Sequence, residues 1–200
     1  SEPTAEEVRA GATAILVAAK RARDLVQQIM SFSLRRERPR QLLRLQPIVQ
    51  EALQLLRATL PASIEIRSDF SCAKSLILAE ATQLHQVVMN LCTNAAHAMR
   101  KLGGVLQVRC QPMQLDDAFC RRHAETRPGL HLMLVVEDTG HGMEPAILER
   151  IFEPFFTTKA ASEGAGIGLA VVHGIVQSHH GAIEIHSRPG AGTSATIWFP

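Results

Sequence analysis

The hydrophobic positions of the first forty residues form one narrow stripe. Between Val8 and Phe32, apolar or small residues recur at alternating spacings of three and four, the pattern of a helix that packs against a partner helix. An ordinary amphipathic helix that packs on its own domain is the alternative. Because the stripe is narrow and polar residues surround it, the pattern favours a helix of a bundle or coiled coil.

A charged run from Arg35 to Arg40 ends this pattern. Pro39 removes a backbone donor and biases Arg38 away from helical conformation. We therefore predict a domain boundary here, with residues 1–40 forming a bundle helix and its linker, and residues 41–200 forming a second domain. The charge of the run is typical of a solvated linker.

Beyond the linker, strand-like alternation and helical periodicity succeed each other. Residues 119–129 are predicted to be a charged loop, and the order of elements lacks the strict alternation of βαβ units. The pattern therefore predicts an α+β fold, a two-layer sandwich with helices on one face of a mixed sheet. The predicted strands are 42–45, 63–69, 105–111, 130–137, 182–187 and 193–199, and the helices are 47–60, 80–101 and 168–180.

Composition adds two expectations about environment and partners. The formal net charge of +2 is too small to indicate nucleic acid or an anionic membrane as a partner. The four cysteines form neither a Cys-x-x-Cys pair nor a zinc-ligand pattern, which favours buried reduced thiols and a cytoplasmic location. No stretch approaches about 18 consecutive apolar residues, although an anchor could precede this sequence in the intact protein.

Several common nucleotide-binding motifs are excluded. No lysine follows a glycine, so the chain has no Walker A loop, and no His-Arg-Asp triplet is present. The glycine-rich stretch from Gly164 to Gly168 is not a dinucleotide fingerprint, because Leu169 occupies the position of the third glycine.

Three polar side chains share one face of the predicted helix 80–101. Asn90, Asn94 and His97 follow one another at spacings of four and three. Amide oxygens on this face suit Mg²⁺, which prefers a few protein oxygens together with substrate phosphates. The alternative is that these side chains face solvent or cap a turn.

An apolar strand then delivers Asp138 into a turn that contains Gly140 and Gly142. A carboxylate can accept a hydrogen bond from the N6 amino group of adenine and would oppose the O6 of guanine. The glycines would let the backbone approach the base without a clashing Cβ. A plain Asp-Thr-Gly turn that ends a strand is the alternative.

Two further segments complete the candidate chemistry. Three of the seven phenylalanines lie between Phe152 and Lys159, and clustered surface aromatics usually mark an interface or a lid. Gly164-Ala165-Gly166-Ile167-Gly168-Leu169 leads directly into an apolar helix, whose N-terminal amides suit phosphate oxygens.

In this order and spacing, the four segments resemble the N, G1, F and G2 boxes of sensor histidine kinases, and the F segment is most similar to kinases of the nitrogen-regulation type. The matching motifs are Asn-Leu-Cys-Thr-Asn-Ala, Glu-Asp-Thr-Gly-His-Gly-Met, Phe-Glu-Pro-Phe-Phe-Thr-Thr-Lys and Gly-Ala-Gly-Ile-Gly-Leu-Ala. Residues 190–193 and the closing strand also resemble the family, and residues 1–40 resemble the second helix of its dimerisation bundle.

The resemblance implies the ATP-binding sandwich shared with gyrase, Hsp90 and MutL. It assigns Asn94, with Asn90 beside it, to Mg²⁺, and Asp138 to adenine, with Thr193 nearby. Lys159 would reach the phosphates, and His97 stands where many relatives have Lys or Arg. The remaining pocket residues would be Gly140, Gly142, Met143, Gly164, Gly166, Ile167, Gly168 and Leu169, with a lid over residues 141–163.

The function that this resemblance implies is transfer of the γ-phosphate of ATP to a histidine outside these residues, on a helix of the same or a partner subunit. The phosphate would then pass to an aspartate of a response regulator receiver domain, and the intact protein would be a homodimer. A gyrase-type ATP hydrolase is less favoured, because Asn90 replaces its general-base Glu. A degenerate module that binds ATP or a partner without transferring phosphate is the other alternative.

Overall fold

The sheet is assembled from segments that span most of the described chain. In this computed structural model, the described residues are Gly11, residues 39–159 and residues 165–200. The strands are β1 Gln41–Leu43, β2 Ile64–Phe70, β3 Ile77–Ala79, β4 Gly104–Leu115, β5 Gly129–Asp138, β6 Ala182–Arg188 and β7 Gly192–Phe199. Five of them form a mixed sheet in the order β2-β4-β5-β7-β6, in which only β2 and β4 are parallel. Strands β1 and β3 form a separate antiparallel pair.

Three longer helices pack together against one face of this sheet, as the sequence predicts. They are α1 Leu45–Arg57, α2 Ala81–Ala98 and α5 Gly168–Ser178, and the two short helices are α3 Asp117–Arg122 and α4 Pro145–Leu148. Helix α1 begins two residues before the predicted start at Pro47. Proline is tolerated there because the first N–H groups of a helix have no intrahelical partner.

The main core lies between this helix layer and the sheet. Alternate strand residues point into it, as the two-residue period of a strand requires. Val88 of α2, Val108 of β4, Leu134 of β5, Val172 of α5 and Ile197 of β7 are almost completely buried there. This core fixes the ends of α2, β5 and α5 relative to one another.

The other face of the sheet carries a smaller core that the sequence does not predict. Asp116 caps helix α3 by accepting a hydrogen bond from the Phe119 N–H at 2.7 Å. Phe119 then packs edge-on against Trp198, with ring centroids 4.8 Å apart. The predicted charged loop at 119–129 is therefore partly helical, because its apolar residues cover the outer end of β7.

The cysteines correct another expectation. Cys72 and Cys110 form a disulfide, with Cα atoms 5.7 Å apart, so the prediction of reduced thiols is wrong for this pair. The parallel register of β2 and β4 places Phe70 opposite Cys110, which brings the following loop to the bond. Cys92 is a buried thiol as predicted, and burial raises its pKa to about 12.

Apart from Gly11, residues 1–38 lie outside the described residues, and they contain the predicted bundle helix and most of the linker. The domain boundary at residue 40 therefore stays a prediction. Arg40 is described, and its guanidinium donates a hydrogen bond to the Ser178 carbonyl at the end of α5. Among the helices that the structure describes, none has the length and apolar character needed to cross a lipid bilayer.

Candidate functional site

The four motif segments meet around one cavity of about 950 Å³. It lies between α2, the adjoining ends of β5 and β7, the segment that follows α4, and the N-terminus of α5. Eleven of the residues singled out in the sequence line it, namely Asn90, Asn94, His97, Asp138, Met143, Lys159, Gly166, Ile167, Gly168, Leu169 and Thr193. Gly140 and Gly142 are not among the lining residues, and Gly164 is outside the described residues.

Helix α2 forms one side of the cavity. Its apolar face is buried in the main core, so the opposite face, with Asn90, Asn94 and His97, turns towards the opening. The helix is 18 residues long and packs against both α1 and α5, which holds these side chains in fixed relative positions. The one-face spacing read from the sequence is therefore observed.

Asp138 ends β5, opposite Leu106 on β4 and Thr193 on β7. Its Oδ1 accepts a hydrogen bond from the Gly140 N–H at 2.8 Å. Burial raises the pKa of Asp138 above its ordinary value of 3.8, and this effect outweighs the hydrogen bonds and the nearby His141, which lower the pKa. The ionised group is a directional acceptor at the edge of the cavity, suited to a ligand N–H.

The two glycines after Asp138 act through packing. A Cβ on Gly140 would lie 2.6 Å from the Cβ of Ala98. Gly142 has a φ of +66°, and a Cβ there would lie 1.9 Å from the Arg188 carbonyl oxygen. The structural reason for both glycines is thus close contact with α2 and with the end of β6, since neither lines the cavity.

The N-terminus of α5 closes the cavity opposite Asp138. Its N-cap residue, Ile167, makes no side-chain capping bond, so the first amides of the helix are available to a ligand. A Cβ on Gly168 would lie 3.6 Å from Asn90 Oδ1 and 3.8 Å from Asn94 Nδ2. The asparagine amides and the helix terminus therefore form one polar surface.

The F segment, residues 152–159, lies beside this surface. Phe152 stacks on His173 with centroids 4.7 Å apart, and Phe156 lies under the Arg150 guanidinium at 4.2 Å. Of the three phenylalanines only Phe155 is largely exposed, at 69%. Lys159 Nζ donates a hydrogen bond to Asn94 Oδ1 at 2.9 Å.

The beginning of the expected lid is anchored to neighbouring elements. The His141 N–H donates to the Ala98 carbonyl at 3.3 Å, and its own carbonyl accepts from the Gly190 N–H. The Met143 N–H donates to Ser187 Oγ at 2.9 Å. Residues 160–163 lie outside the described residues, so a lid over residues 141–163 stays a prediction.

The oxygens of this site suit Mg²⁺. Within the described ranges, no group of three or more His, Cys, Asp or Glu side chains could hold a metal ion. Asn94 and Asn90 offer neutral amide oxygens, and Mg²⁺ commonly takes one or two protein ligands together with phosphates and waters. Asn94 Oδ1 accepts a hydrogen bond from the Lys159 ammonium.

Sequence reasoning missed part of the lining. Lys101 follows His97 by four residues, just beyond the end of α2, and also lines the cavity, as does Arg100. Ile147, Ile151 and Ile185 form an apolar wall. The spacing of Lys101 could have been read from the sequence, whereas the three isoleucines converge from separate elements.

The sequence is similar to those of known kinases and ATPases. Residues 79–200 match the family described as histidine kinase-, DNA gyrase B-, and HSP90-like ATPase. The chain is 35% identical over 182 residues to the sensor kinase CckA of Brucella abortus, covering 91% of this chain and 19% of that protein. It is 36% identical over 162 residues to the sensor histidine kinase ZraS of Salmonella typhimurium, covering 80% of this chain and 31% of that protein.

Solved structures agree in fold. The mycobacterial sensor histidine kinase MprB superimposes with a TM-score of 0.64 at 26% identity, covering 80% of this chain and 97% of that one. Full-length ShkA in complex with AMPPNP superimposes with a TM-score of 0.73 at 24% identity, covering all of this chain and 40% of ShkA. The chain thus spans less than a third of the length of CckA or ZraS, at 19% and 31%.

Proposed function

This chain belongs to the histidine kinase-, DNA gyrase B- and HSP90-like ATPase family. From this premise we propose that it is the ATP-binding catalytic domain of a sensor histidine kinase. In this role it transfers the γ-phosphate of Mg-ATP to a histidine outside these 200 residues. The observation that carries the proposal is the shared cavity. One end offers the Asp138 carboxylate, and the other offers two amide side chains beside an uncapped helix N-terminus.

Asp138 is proposed to select the base. Its carboxylate can accept a hydrogen bond from the adenine N6 amino group, while the Gly140 N–H holds Oδ1 in position at 2.8 Å. Thr193 lies beside it in the register of β7, and its hydroxyl is hydrogen-bonded to Ser187 at 2.9 Å. The apolar side chains of Met143 and Ile185 offer the base a non-polar surface.

The opposite end is proposed to hold the phosphates. The first residues of α5 line the cavity, and a Cβ added at Gly168 would be in van der Waals contact with the amides of Asn90 and Asn94. Asn94, with Asn90 beside it, would hold Mg²⁺, which when bound neutralises phosphate charge. Lys101 and Lys159 line the same cavity and add positive charge, and His97 belongs to the same lining.

The reaction needs little acid–base chemistry from this domain. A neutral imidazole nitrogen of the acceptor attacks the γ-phosphorus, the bond to the β,γ-bridging oxygen breaks, and ADP leaves with that electron pair. A water nucleophile would need a base, and the Asn90 amide cannot accept its proton at neutral pH. The site therefore favours transfer over gyrase-type hydrolysis.

The partners follow from this reaction. We propose that the acceptor histidine lies on a bundle helix of the same or a partner subunit in a homodimer. The phosphate would then pass to an aspartate of a response regulator receiver domain. Residues 1–40 carry the helix-packing stripe that such a bundle requires.

Base selectivity tests the nucleotide assignment directly. We expect calorimetry in excess Mg²⁺ to show ATP binding at least roughly 30-fold tighter than GTP, equivalent to about 2 kcal/mol. The reason is that guanine presents its O6 acceptor where adenine presents a donor. Equal affinities for the two nucleotides would contradict the role of Asp138 in base recognition.

The raised pKa of Asp138 gives a second expectation. The protonated carboxyl is a weaker hydrogen-bond acceptor than the ionised carboxylate. ATP affinity should therefore fall as the pH drops through the pKa of Asp138. The decline should therefore begin at a higher pH than an ordinary aspartate, with a pKa of 3.8, would cause. Asp138→Asn serves as the control, because it removes the titration of this carboxyl and keeps that of the nucleotide and of the other groups in the site. Matching pH profiles for the two proteins would contradict the assignment.

A further inference from the structure

A single contact connects the F segment with the amide proposed to bind metal. Lys159 Nζ donates to Asn94 Oδ1 at 2.9 Å, and the two residues are 65 positions apart in the chain. Lys159 stands at the end of the F segment, and Asn94 lies on the cavity face of α2. The oxygen that would meet Mg²⁺ is thus already held by an ammonium group.

We propose that, without nucleotide, the Lys159 ammonium takes the place of the divalent ion on Asn94 and latches the end of the F segment to α2, and that metal arriving with ATP displaces it. The proposal rests on the proposed function, because it takes Asn94 as the metal ligand. It adds that metal binding and movement of residues 157–159 are one coupled event.

Electrostatics makes the two cations exclude each other. Mg²⁺ binds its oxygen ligands at about 2.0–2.1 Å, and the ammonium lies 2.9 Å from the same oxygen. Two cations sharing that oxygen would be no more than about 5 Å apart. A neutral amide has no net charge to offset their repulsion, so a divalent ion held by Asn94 would weaken the hold of this oxygen on the ammonium.

The latch is not the contact that holds the middle of the F segment. The backbone of Phe155 and Phe156 lies so close to Gly166 that a Cβ there would come within 2.6 Å. Further along, the Lys159 N–H donates to Thr157 Oγ1 at 3.1 Å, which forms a local turn carrying the ammonium to Asn94. Losing the latch should free residues 157–159 and leave residues 155 and 156 in place.

The displaced ammonium has a suitable destination. Lys159 lines the same cavity as the N-terminus of α5, where we propose the phosphates bind. A lysine is a flexible point charge with three donors, so it can move from an amide oxygen to a phosphate oxygen without its backbone leaving the cavity. Release of Lys159 from Asn94 would thus allow its ammonium to contact a phosphate of the nucleotide.

Hydrogen exchange of the 200-residue chain without nucleotide, in EDTA, tests the latch. We expect Lys159→Met, Lys159→Gln and Asn94→Ala each to speed exchange at residues 157–159 by roughly three- to tenfold. The double variant Lys159→Met/Asn94→Ala should show no additional increase, because both changes remove the same contact. Lys101→Met, which removes another lysine from the cavity lining, should match the wild type. Unchanged exchange in both Lys159 variants would overturn the latch.

Nucleotide affinity tests the displacement separately. We expect the ratio of ATP affinity in excess Mg²⁺ to that in EDTA to rise at least about threefold in Lys159→Met. In EDTA the ammonium compensates phosphate charge in place of the metal, whereas in Mg²⁺ it contributes less, because the metal already compensates that charge and competes with it for Asn94. Lys101→Met should weaken both conditions alike. A ratio that stays constant or falls in Lys159→Met would show that Lys159 only accompanies the metal, and would overturn the displacement. Wild-type protein that binds no ATP in either condition would instead overturn the proposed function.

Discussion

Replacing Asp138 by alanine should weaken ATP binding by roughly 100-fold, equivalent to about 3 kcal/mol. The carboxylate is half-buried at the end of β5, and in the variant the adenine N6 amino group would lose its charged acceptor. The Gly140 N–H would also lose its partner at 2.8 Å. Isothermal titration in excess Mg²⁺ measures the effect.

Glu137 offers a matched control for this experiment. It is the neighbouring acid on β5 but points to the opposite face of the sheet, where it pairs with Arg109 and accepts a hydrogen bond from Ser194 at 3.0 Å. Glu137→Ala removes the same charge without touching the cavity, so its ATP affinity should change less than about threefold. Undiminished affinity in Asp138→Ala would show that another group reads the base.

Phosphotransfer should require both this domain and a separate acceptor. With Mg²⁺ and labelled ATP, a helix that carries the acceptor histidine should become labelled. Asn94→Ala should slow this labelling by roughly 100- to 1000-fold, because it removes the proposed metal ligand that helps to stabilise transferred charge. Acid-labile label on the helix, followed over time, measures the rate.

The control is an amide on the same helix outside the cavity lining. Gln86→Ala alters α2 one turn before Asn90 and should leave the labelling rate within about twofold of the wild type. If Asn94→Ala transferred phosphate as fast as Gln86→Ala, Asn94 would not be the metal ligand.

The 200-residue chain alone should remain unlabelled. No histidine precedes His85, so residues 8–32, the segment with bundle character, contain no acceptor. His85 and His97 lie on α2, and His97 belongs to the wall of the cavity. Label on this chain by itself would identify an acceptor among its nine histidines and would contradict the proposed division of roles.

The sequence alone was sufficient to predict the fold class and the segments of the site. The helical spacing of Asn90, Asn94 and His97 and the apolar strand that ends at Asp138 depend only on neighbours within four residues. Such periodicity is set by local backbone geometry, and the observed α2 and β5 preserve it. The family resemblance then supplied the order in which these segments meet.

Only the tertiary structure decided which distant residues touch. The Cys72–Cys110 disulfide depends on the parallel register of β2 and β4, and the Lys159–Asn94 contact joins two segments that approach only after the sheet and helices have packed. Short β3 and the outer helix α3 were also missed, because each is stabilised by partners far away in the chain. Local periodicity determines which face a side chain occupies, whereas its contact partner is determined by strand register and core packing.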